Sequence, residues 1–254
     1  MRADDFAHIP GGKGANQAVA AARLGASVRM VACVGTDELA RLAQAGMEEA
    51  GVDLTRVVQV GSADTGMALI VVDEAGENQI VVVPGANAAL GADAVRAGEP
   101  DTVDAVLCQL EIPDEPLAAA ARAATGLFCL NAAPARPVPT DVLGRADLVV
   151  VNRYELDALA EMPHLVALTL GAEGAVLLED GEEVARAAPP EVEAVDGTAA
   201  GDSFTGCLVV SLLEGRDREE ALRRACAAGA IAASRPGAQP SLPTAAEVDE
   251  ILRS

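Results

Sequence analysis

Residues 146–155 read "ADLVVVNRYE", a short apolar run followed directly by polar residues. The run predicts a strand that ends near Asn152, with a helix opening after it. Similar runs occur at 104–111, 126–131 and 165–171, separated by helical or proline-rich stretches. This alternation predicts right-handed βαβ units, and therefore an α/β domain with a mostly parallel sheet.

The flanking segments agree with such a domain. Residues 15–25 predict a helix and 28–35 a strand, and Thr36 is expected to cap the helix that follows. Two hairpins are predicted, one with its turn at 74–77 and one that turns at 180–181. Further helices are expected in the last third of the chain, over residues 200–215, 218–234 and 245–252.

Length and composition indicate one domain with a large core. The chain has 254 residues, 51% of them hydrophobic, and no linker or repeat, so residues 1–254 are expected to form a single domain. The net charge of −21 argues against nucleic acid or an anionic membrane surface as a partner, because both require a basic face. With no apolar signal region and no CxxC pair among the five cysteines, a cytoplasmic protein with reduced thiols is expected.

Several common catalytic motifs are missing from the sequence. No GxxxxGK[ST], GxSxG or HExxH is present, and the stretch 12–17 has Gln17 where a dinucleotide-binding fingerprint needs its third glycine. With two histidines, a histidine-based metal site is not expected. P-loop kinases, Rossmann dehydrogenases and most serine hydrolases are therefore disfavoured.

The most informative stretch is "DGTAAGDSFTG", residues 196–206. Small residues ahead of an apolar helix leave backbone N–H groups pointing at one spot, which suits an anion such as a transferring phosphoryl group. Asp202 follows at once, and its carboxylate could accept the proton of an alcohol. A helix cap with a glycine turn explains the same residues about equally well.

Polar residues that close the predicted strands are further candidates, because ligands of parallel sheets bind at the carboxyl ends of the strands. These residues are Glu111, Asn131, Asn152, Thr169, Gly171 and Asp196. In "NRYE", Asn152 and Glu155 share one helical face and could orient hydrated Mg²⁺. A capping box has the same spacing and is the favoured interpretation of this motif alone.

Three glycine-containing stretches could contact ligands. "GGKGANQ" (11–17) contains Lys13, the only lysine of the chain, and could offer Lys13 and Asn16 as donors to a small polar ligand; a glycine turn with an exposed lysine is the alternative. "TLGAEG" (169–174) could face a nucleotide or form a plain connection. Carbonyls of "SRPGAQPS" (234–241), with Asp196, could coordinate a monovalent cation, or the stretch is a plain loop.

In their order along the chain, these motifs resemble those of the ribokinase (PfkB) family of sugar kinases. The resemblance begins at Gly11 and rests on "GGKGANQAVAA", "PGANAAL", "QLE", "NAAPAR", "NRYE", "TLGAEG", "AVDGTAAGDSFTG" and "GAQPSLP". It implies a three-layer α/β/α fold with a mostly parallel central sheet and a small, reduced β lid that includes the hairpin 67–83. It also implies ATP-dependent phosphorylation of a sugar primary hydroxyl, D-ribose to D-ribose 5-phosphate, with Mg²⁺, an activating K⁺ and a homodimer built through the lid.

The resemblance assigns roles to individual residues. Asp202 is expected to be the catalytic base, with the backbone of Ala199, Ala200 and Gly201 as the anion hole. The sugar site is expected to contain Gly12, Lys13, Asn16, Glu111 and Asp202. The nucleotide site is expected to contain Asn152, Thr169, Gly171, Gly174 and Gly201. Mg²⁺ is expected at Asn152 and Glu155 through water or phosphate, and K⁺ at Asp196, Thr198, Ala232, Arg235, Gly237 and Ser241, several through carbonyls.

Two differences from the family pattern bear on the substrate and on the sheet. The family's first strand, with an Asp motif that binds two sugar hydroxyls, is not found, and Asp4 and Asp5 do not match its context. A helix that usually precedes the strand at 165–171 is reduced to Pro163 and its neighbours. A nucleoside or other sugar kinase of the same family, and a ligand-binding paralogue without catalysis, are therefore alternatives.

Overall fold

The computed structural model describes residues 7–72 and 78–253. Within them the strands are β1 (Arg29–Val34), β2 (Asp53–Gln59), β3 (Met67–Val72), β4 (Asn78–Val83), β5 (Ala105–Gln109), β6 (Leu127–Asn131), β7 (Leu148–Asn152), β8 (Leu165–Thr169), β9 (Ala175–Glu179) and β10 (Glu182–Ala187). The α-helices are α1 (Lys13–Arg23), α2 (Glu38–Glu49), α3 (Ala92–Ala97), α4 (Asp114–Ala123), α5 (Thr140–Arg145), α6 (Arg153–Asp157), α7 (Ala200–Leu213), α8 (Arg218–Ala233) and α9 (Ala245–Ile251).

In the described part of the chain, the central sheet has six strands in the order β10-β9-β8-β7-β6-β5. Strands β5 to β8 pair in parallel, whereas β9 is antiparallel to β8 and β10 is antiparallel to β9. The apolar runs of the sequence form these parallel strands because runs of four or five apolar residues can be buried on both faces of a sheet. The expected mostly parallel α/β sheet is confirmed.

Strand β7 shows how the two faces of the sheet are covered. Leu148 and Val150 pack in one core with residues of α7 and α8, whereas Val149 and Val151 pack in a second core with residues of α4 and α5. Because successive side chains of a strand point to opposite faces, this alternation produces a helix–sheet–helix arrangement of three layers. The three-layer prediction is therefore confirmed.

Two further strand pairs lie outside the central sheet. Strand β1 pairs in parallel with β2, and β3 pairs with β4 in an antiparallel hairpin. The hairpin was predicted as the lid, and its predicted turn at 74–77 falls outside the described residues. Strand β2 was not predicted.

Two local predictions are wrong. Asp37, not Thr36, precedes the first turn of α2, and its carboxylate accepts hydrogen bonds from the backbone and hydroxyl of Thr65 (3.1 and 2.5 Å). The stretch before Asp196 is not a strand. Instead, the N–H groups of Val195 and Asp196 both donate to the carbonyl of Ala233 at the end of α8 (2.8 and 3.0 Å).

The second predicted hairpin, formed by β9 and β10, is confirmed. The predicted hairpin turn at residues 180–181 has both residues in the left-handed region, with φ of 52° and 84°. All five cysteines are buried, and none of them forms a disulfide bond. None of the described helices has the length and apolar character to cross a membrane.

Candidate active site

A cavity of about 110 Å³ lies where β6, β7 and β8 end and α7 begins. Six of the predicted site residues line it: Lys13, Asn152, Glu155, Thr169, Gly201 and Asp202. Asn131, which closes β6, and the apolar residues Ala133, Val150 and Val151 complete the lining. Three strand ends and the first turns of α1, α6 and α7 therefore bring residues from separate sequence motifs to one concave site.

Asp202 lies in the first turn of α7 and is 5% exposed. Its Oδ2 accepts a hydrogen bond from Asn16 Nδ2 (2.8 Å), and its Oδ1 accepts one from Gln17 Nε2 (2.8 Å). Burial raises the pKa of this carboxyl, and the nearby Lys13 cation with the two amide donors offsets only part of the rise. A carboxylate whose pKa is raised toward the working pH is suited to accept a proton.

The N-terminus of α7 offers backbone donors beside Asp202. The first N–H groups of a helix have no acceptor within the helix, and the helix dipole places partial positive charge there. Gly201 lies in this turn and lines the cavity, whereas the N–H of Ala200 already donates to Gly197 O (3.2 Å). The Ala200 N–H, one of the predicted anion-hole donors, is therefore partly occupied by a hydrogen bond inside the turn.

Ala199, the residue before α7, has φ of 61° in the left-handed region. A side chain there is strained by about 1 kcal/mol or more relative to glycine, and glycine is also the better residue at a helix N-terminus. We expect Ala199→Gly to raise the free energy of unfolding by about 1 kcal/mol in urea titrations. Ala200→Gly is the matched control, because Ala200 is helical and glycine there should lower stability by about 0.5–1 kcal/mol. If both variants lose stability equally, the backbone at Ala199 is not strained.

Lys13 is the first residue of α1, and its position depends on Gly12 and Glu111. Gly12 has φ of 91°, and no side chain caps the helix from that position. Glu111 supplies the missing acceptor from a distant part of the chain, since its Oε2 accepts the Lys13 N–H at 3.0 Å. Burial raises the pKa of Glu111, although the Lys13 N–H and charge act in the opposite direction.

Arg136 fixes the segment that carries Glu111. Its guanidinium donates to the carbonyls of Leu110 (3.1 Å) and Ile112 (3.0 Å), the residues on either side of Glu111, and to the carboxylate of Asp114 (2.6 Å). One planar donor group therefore holds the backbone on both sides of the carboxylate that caps α1.

Asn152 and Glu155 form the capping box that was the favoured interpretation. Asn152 Oδ1 accepts the Glu155 N–H (2.9 Å), and Glu155 Oε2 accepts the Asn152 N–H (2.8 Å). Both residues also line the cavity, so the cap does not exclude a ligand role. Burial raises the pKa of Glu155, and the negative charge of Asp202 contributes in the same direction.

The stretch 169–174 contributes Thr169 to the cavity, while its glycines serve the turn that follows β8. The Thr169 hydroxyl donates to Val151 O (3.2 Å). Gly174 has φ of 93°, and a Cβ atom there would lie 2.0 Å from Ala187 O, so no other residue fits. Gly171 (φ 62°) and Gly174 do not line the cavity.

The predicted K⁺ residues form a separate cluster. Asp196 accepts the N–H groups of Thr198 (2.9 Å) and Gly237 (2.8 Å), and although burial opposes the shift, these bonds hold its pKa below the ordinary value. The Arg235 side chain pairs with Glu247 at 2.6 Å, so only its backbone is available to a cation. The Ala232 carbonyl accepts the Arg235 N–H (3.2 Å), and the buried Ser241 hydroxyl donates to Ala238 O (2.7 Å).

Gln17 and Gln109 were not predicted, whereas Asn131 was a candidate because it closes a strand. Gln17 is 1% exposed and bonds to Asp202, to Asn131 Oδ1 (2.9 Å) and to Gln109 (2.8 Å). The sequence signal that could have identified Gln17 is an uncharged amide inside an alanine-rich helix. If such an amide is buried, it needs hydrogen-bond partners.

Comparisons with known proteins place the chain in one family. The model of the "pfkB family carbohydrate kinase" matches residues 1–245. The ribokinases of Haemophilus influenzae and Bacillus subtilis are 38% and 39% identical, over 95% and 97% of this chain and 87% and 89% of theirs. Among solved structures, the ribokinase of Thermotoga maritima has a TM-score of 0.91 at 34% identity, covering 100% of this chain and 91% of that one. The Arabidopsis thaliana ribokinase complexed with ribose and ATP has a TM-score of 0.90 at 29% identity, with the same coverage.

Proposed function

This chain belongs to the pfkB family of carbohydrate kinases and is an ATP-dependent carbohydrate kinase, and we propose that it phosphorylates D-ribose on its primary hydroxyl. The observation that carries this assignment is the buried Asp202 carboxylate at the start of α7, which faces the cavity together with Lys13. Relatives that are 30–39% identical and cover most of the chain are ribokinases, and a related structure holds ribose and ATP.

In the proposed reaction, Asp202 accepts the proton of the sugar hydroxyl while the hydroxyl oxygen forms its bond to the γ-phosphorus of ATP. The bond from this phosphorus to the bridging oxygen breaks, and ADP leaves with its electron pair. Backbone N–H groups at residues 199–201 stabilise the charge of the transferring phosphoryl group. Lys13 donates hydrogen bonds to sugar oxygens near the base. Gly12, Asn16 and Glu111 complete the proposed sugar site.

The nucleotide is proposed to lie on the side of Asn152, Thr169, Gly171, Gly174 and Gly201. Asn152 and Glu155 fit hydrated Mg²⁺, because one Glu155 oxygen is free of the capping box and hard oxygen donors suit this ion. Bound Mg²⁺ would neutralise charge on the phosphates. The Asp196 cluster fits K⁺ less closely, because each carboxylate oxygen already accepts an N–H, but lone pairs and nearby carbonyls remain.

A coupled assay of ADP release with purified protein tests the function. We expect turnover with ribose and ATP, loss of turnover with EDTA, and a higher rate when K⁺ replaces Na⁺. A higher kcat/KM for a nucleoside or a hexose than for ribose contradicts the substrate assignment. Tight binding of ribose and ATP in calorimetry without phosphate transfer supports the non-catalytic alternative.

We also propose a homodimer through the hairpin of β3 and β4. Its described side chains include several that are apolar and exposed, among them Leu69 (52% exposed), Val81 (60%) and Val82 (59%). Apolar residues that lie together on a surface favour association. In sedimentation velocity we expect a dimer for the unmodified chain and a monomer for the double variant Leu69→Lys/Val81→Lys. Val184→Lys, an equally apolar exposed position on β10, is the control and should remain dimeric; a monomeric unmodified chain refutes the dimer.

A further inference from the structure

A chain of side-chain amides lies behind the proposed base. Asn131 Nδ2 donates to the carbonyl of Val150 (3.0 Å), and Asn131 Oδ1 accepts from Gln17 Nε2 (2.9 Å). The same Gln17 nitrogen donates to Asp202 Oδ1 (2.8 Å), while Gln17 Oε1 accepts from Gln109 Nε2 (2.8 Å). Gln17, Asn131 and Asp202 are 1%, 7% and 5% exposed, so water cannot easily replace these bonds.

The orientation of each amide in this chain follows from one backbone group. A carbonyl oxygen can only accept, so Asn131 must turn its NH₂ toward Val150 and its oxygen toward Gln17. Gln17 must then present its NH₂ to Asn131, and its oxygen faces the Gln109 NH₂. The assignment of nitrogen and oxygen, which is often ambiguous for isolated amides, is therefore determined by the network.

This orientation has a consequence for Asp202. The Gln17 NH₂ has two hydrogens, and one goes to Asn131 while the other goes to Asp202 Oδ1. Asn16 supplies a second N–H to Asp202 Oδ2. Both carboxylate oxygens thus face N–H donors, and such bonds stabilise the ionised form, which is the form that can accept a proton.

We propose that Gln17 is a positioning residue for the phosphoryl transfer: anchored by Asn131 and Gln109, it holds the Asp202 carboxylate ionised and oriented toward the cavity. The inference rests on the proposed function, because it assigns to Asp202 the role of base. Gln17 does not line the cavity, so it acts through Asp202 and not through the sugar.

Charged side chains near Asp202 also influence its ionisation, and their influence can be distinguished from that of Gln17. Lys13 from α1 favours the ionised form of Asp202. Glu111, from the loop after β5, and Glu155, from α6, also interact with Asp202 through charge, and this interaction raises their pKa. Replacing Gln17 by an uncharged residue of similar length leaves all of these charges in place.

Gln17→Met is the test, because methionine matches the length and apolar stem of glutamine but cannot donate. We expect kcat for ribose phosphorylation to fall about 10- to 100-fold, the size expected for a lost hydrogen bond to a charged group. KM for ATP should change little, and the acidic limb of the kcat/KM profile should move to higher pH. The matched control is Gln44→Met on α2, where the amide donates only to Ala40 O (2.8 Å), and this variant should behave as the unmodified enzyme.

A second readout does not depend on activity. The ¹³C resonance of the Asp202 carboxyl, assigned by its loss in Asp202→Asn, should titrate at higher pH in Gln17→Met than in the unmodified chain. A folded Gln17→Met protein with unchanged titration and unchanged kcat overturns the inference. If the unmodified chain does not phosphorylate ribose, the proposed function fails, while the titration still decides whether Gln17 holds Asp202 ionised.

Discussion

Asp202→Asn is expected to lower kcat for ribose phosphorylation by about 100- to 10,000-fold, the range that general bases contribute. The asparagine has nearly the same shape but cannot accept the hydroxyl proton. ATP affinity, measured by calorimetry, should stay close to that of the unmodified chain, because the nucleotide is proposed to lie on the side of Asn152 and Thr169. Equal turnover in the two proteins would remove Asp202 from the role of base.

Asp202→Asn is also expected to destabilise the fold, and the experiment must separate this effect from the loss of the base. Asp202 accepts one N–H on each oxygen, from Asn16 and from Gln17. An asparagine offers one carbonyl oxygen, so one of these buried donors loses its acceptor, which costs about 1–3 kcal/mol of stability. Thermal unfolding of the variant therefore needs to be measured, and Asp101→Asn at an exposed position serves as the control for the chemical change.

The pH dependence of the unmodified enzyme follows from the same carboxyl. Burial raises the pKa of Asp202, and the base must be ionised to act. We therefore expect kcat/KM to fall as the pH decreases through this raised pKa, at a higher pH than an ordinary aspartate would give. Asp202→Asn should lose this acidic limb in its residual activity.

Lys13→Met is expected to have the second largest effect, a decrease of about 10- to 100-fold in kcat/KM for ribose. Lys13 is the only lysine of the chain and lines the cavity with Asp202. Its cation is the largest of the influences that lower the pKa of Asp202 against burial. Removing the cation should raise this pKa further, so the acidic limb should move to higher pH.

Lys13→Arg separates the charge of Lys13 from its contact with the sugar. The guanidinium keeps the positive charge but is planar and larger than an ammonium. We expect a raised KM for ribose with an acidic limb close to that of the unmodified enzyme. Arg122→Met, which removes an exposed cation, is the control. If Lys13→Met and Lys13→Arg both match the unmodified enzyme, Lys13 has no role in the site.

Much of the fold could be predicted from local pattern. Strands β5 to β8 were recognised because apolar runs with polar ends are typical of buried parallel strands. Strand β2 was missed because its sequence, "DLTRVVQ", is half-exposed and carries polar residues, and its pairing with β1 is a tertiary contact. The strand expected before Asp196 does not form, since the N–H groups of Val195 and Asp196 donate to the end of α8.

The chemical groups of the candidate site belong to local sequence motifs. Asp202 is a carboxylate that follows small residues, Lys13 is a single cation between glycines, and other polar residues close strands. These features depend on residues close together in the chain, and their order along the sequence carries the resemblance to the PfkB family of sugar kinases. The support of Asp202 depends instead on Gln17, 185 positions away, and the cap of Lys13 depends on Glu111, 98 positions away. Such contacts exist only when α1 packs against α7 and the end of β5, because buried amides and carboxylates find partners through packing and not through spacing in the sequence.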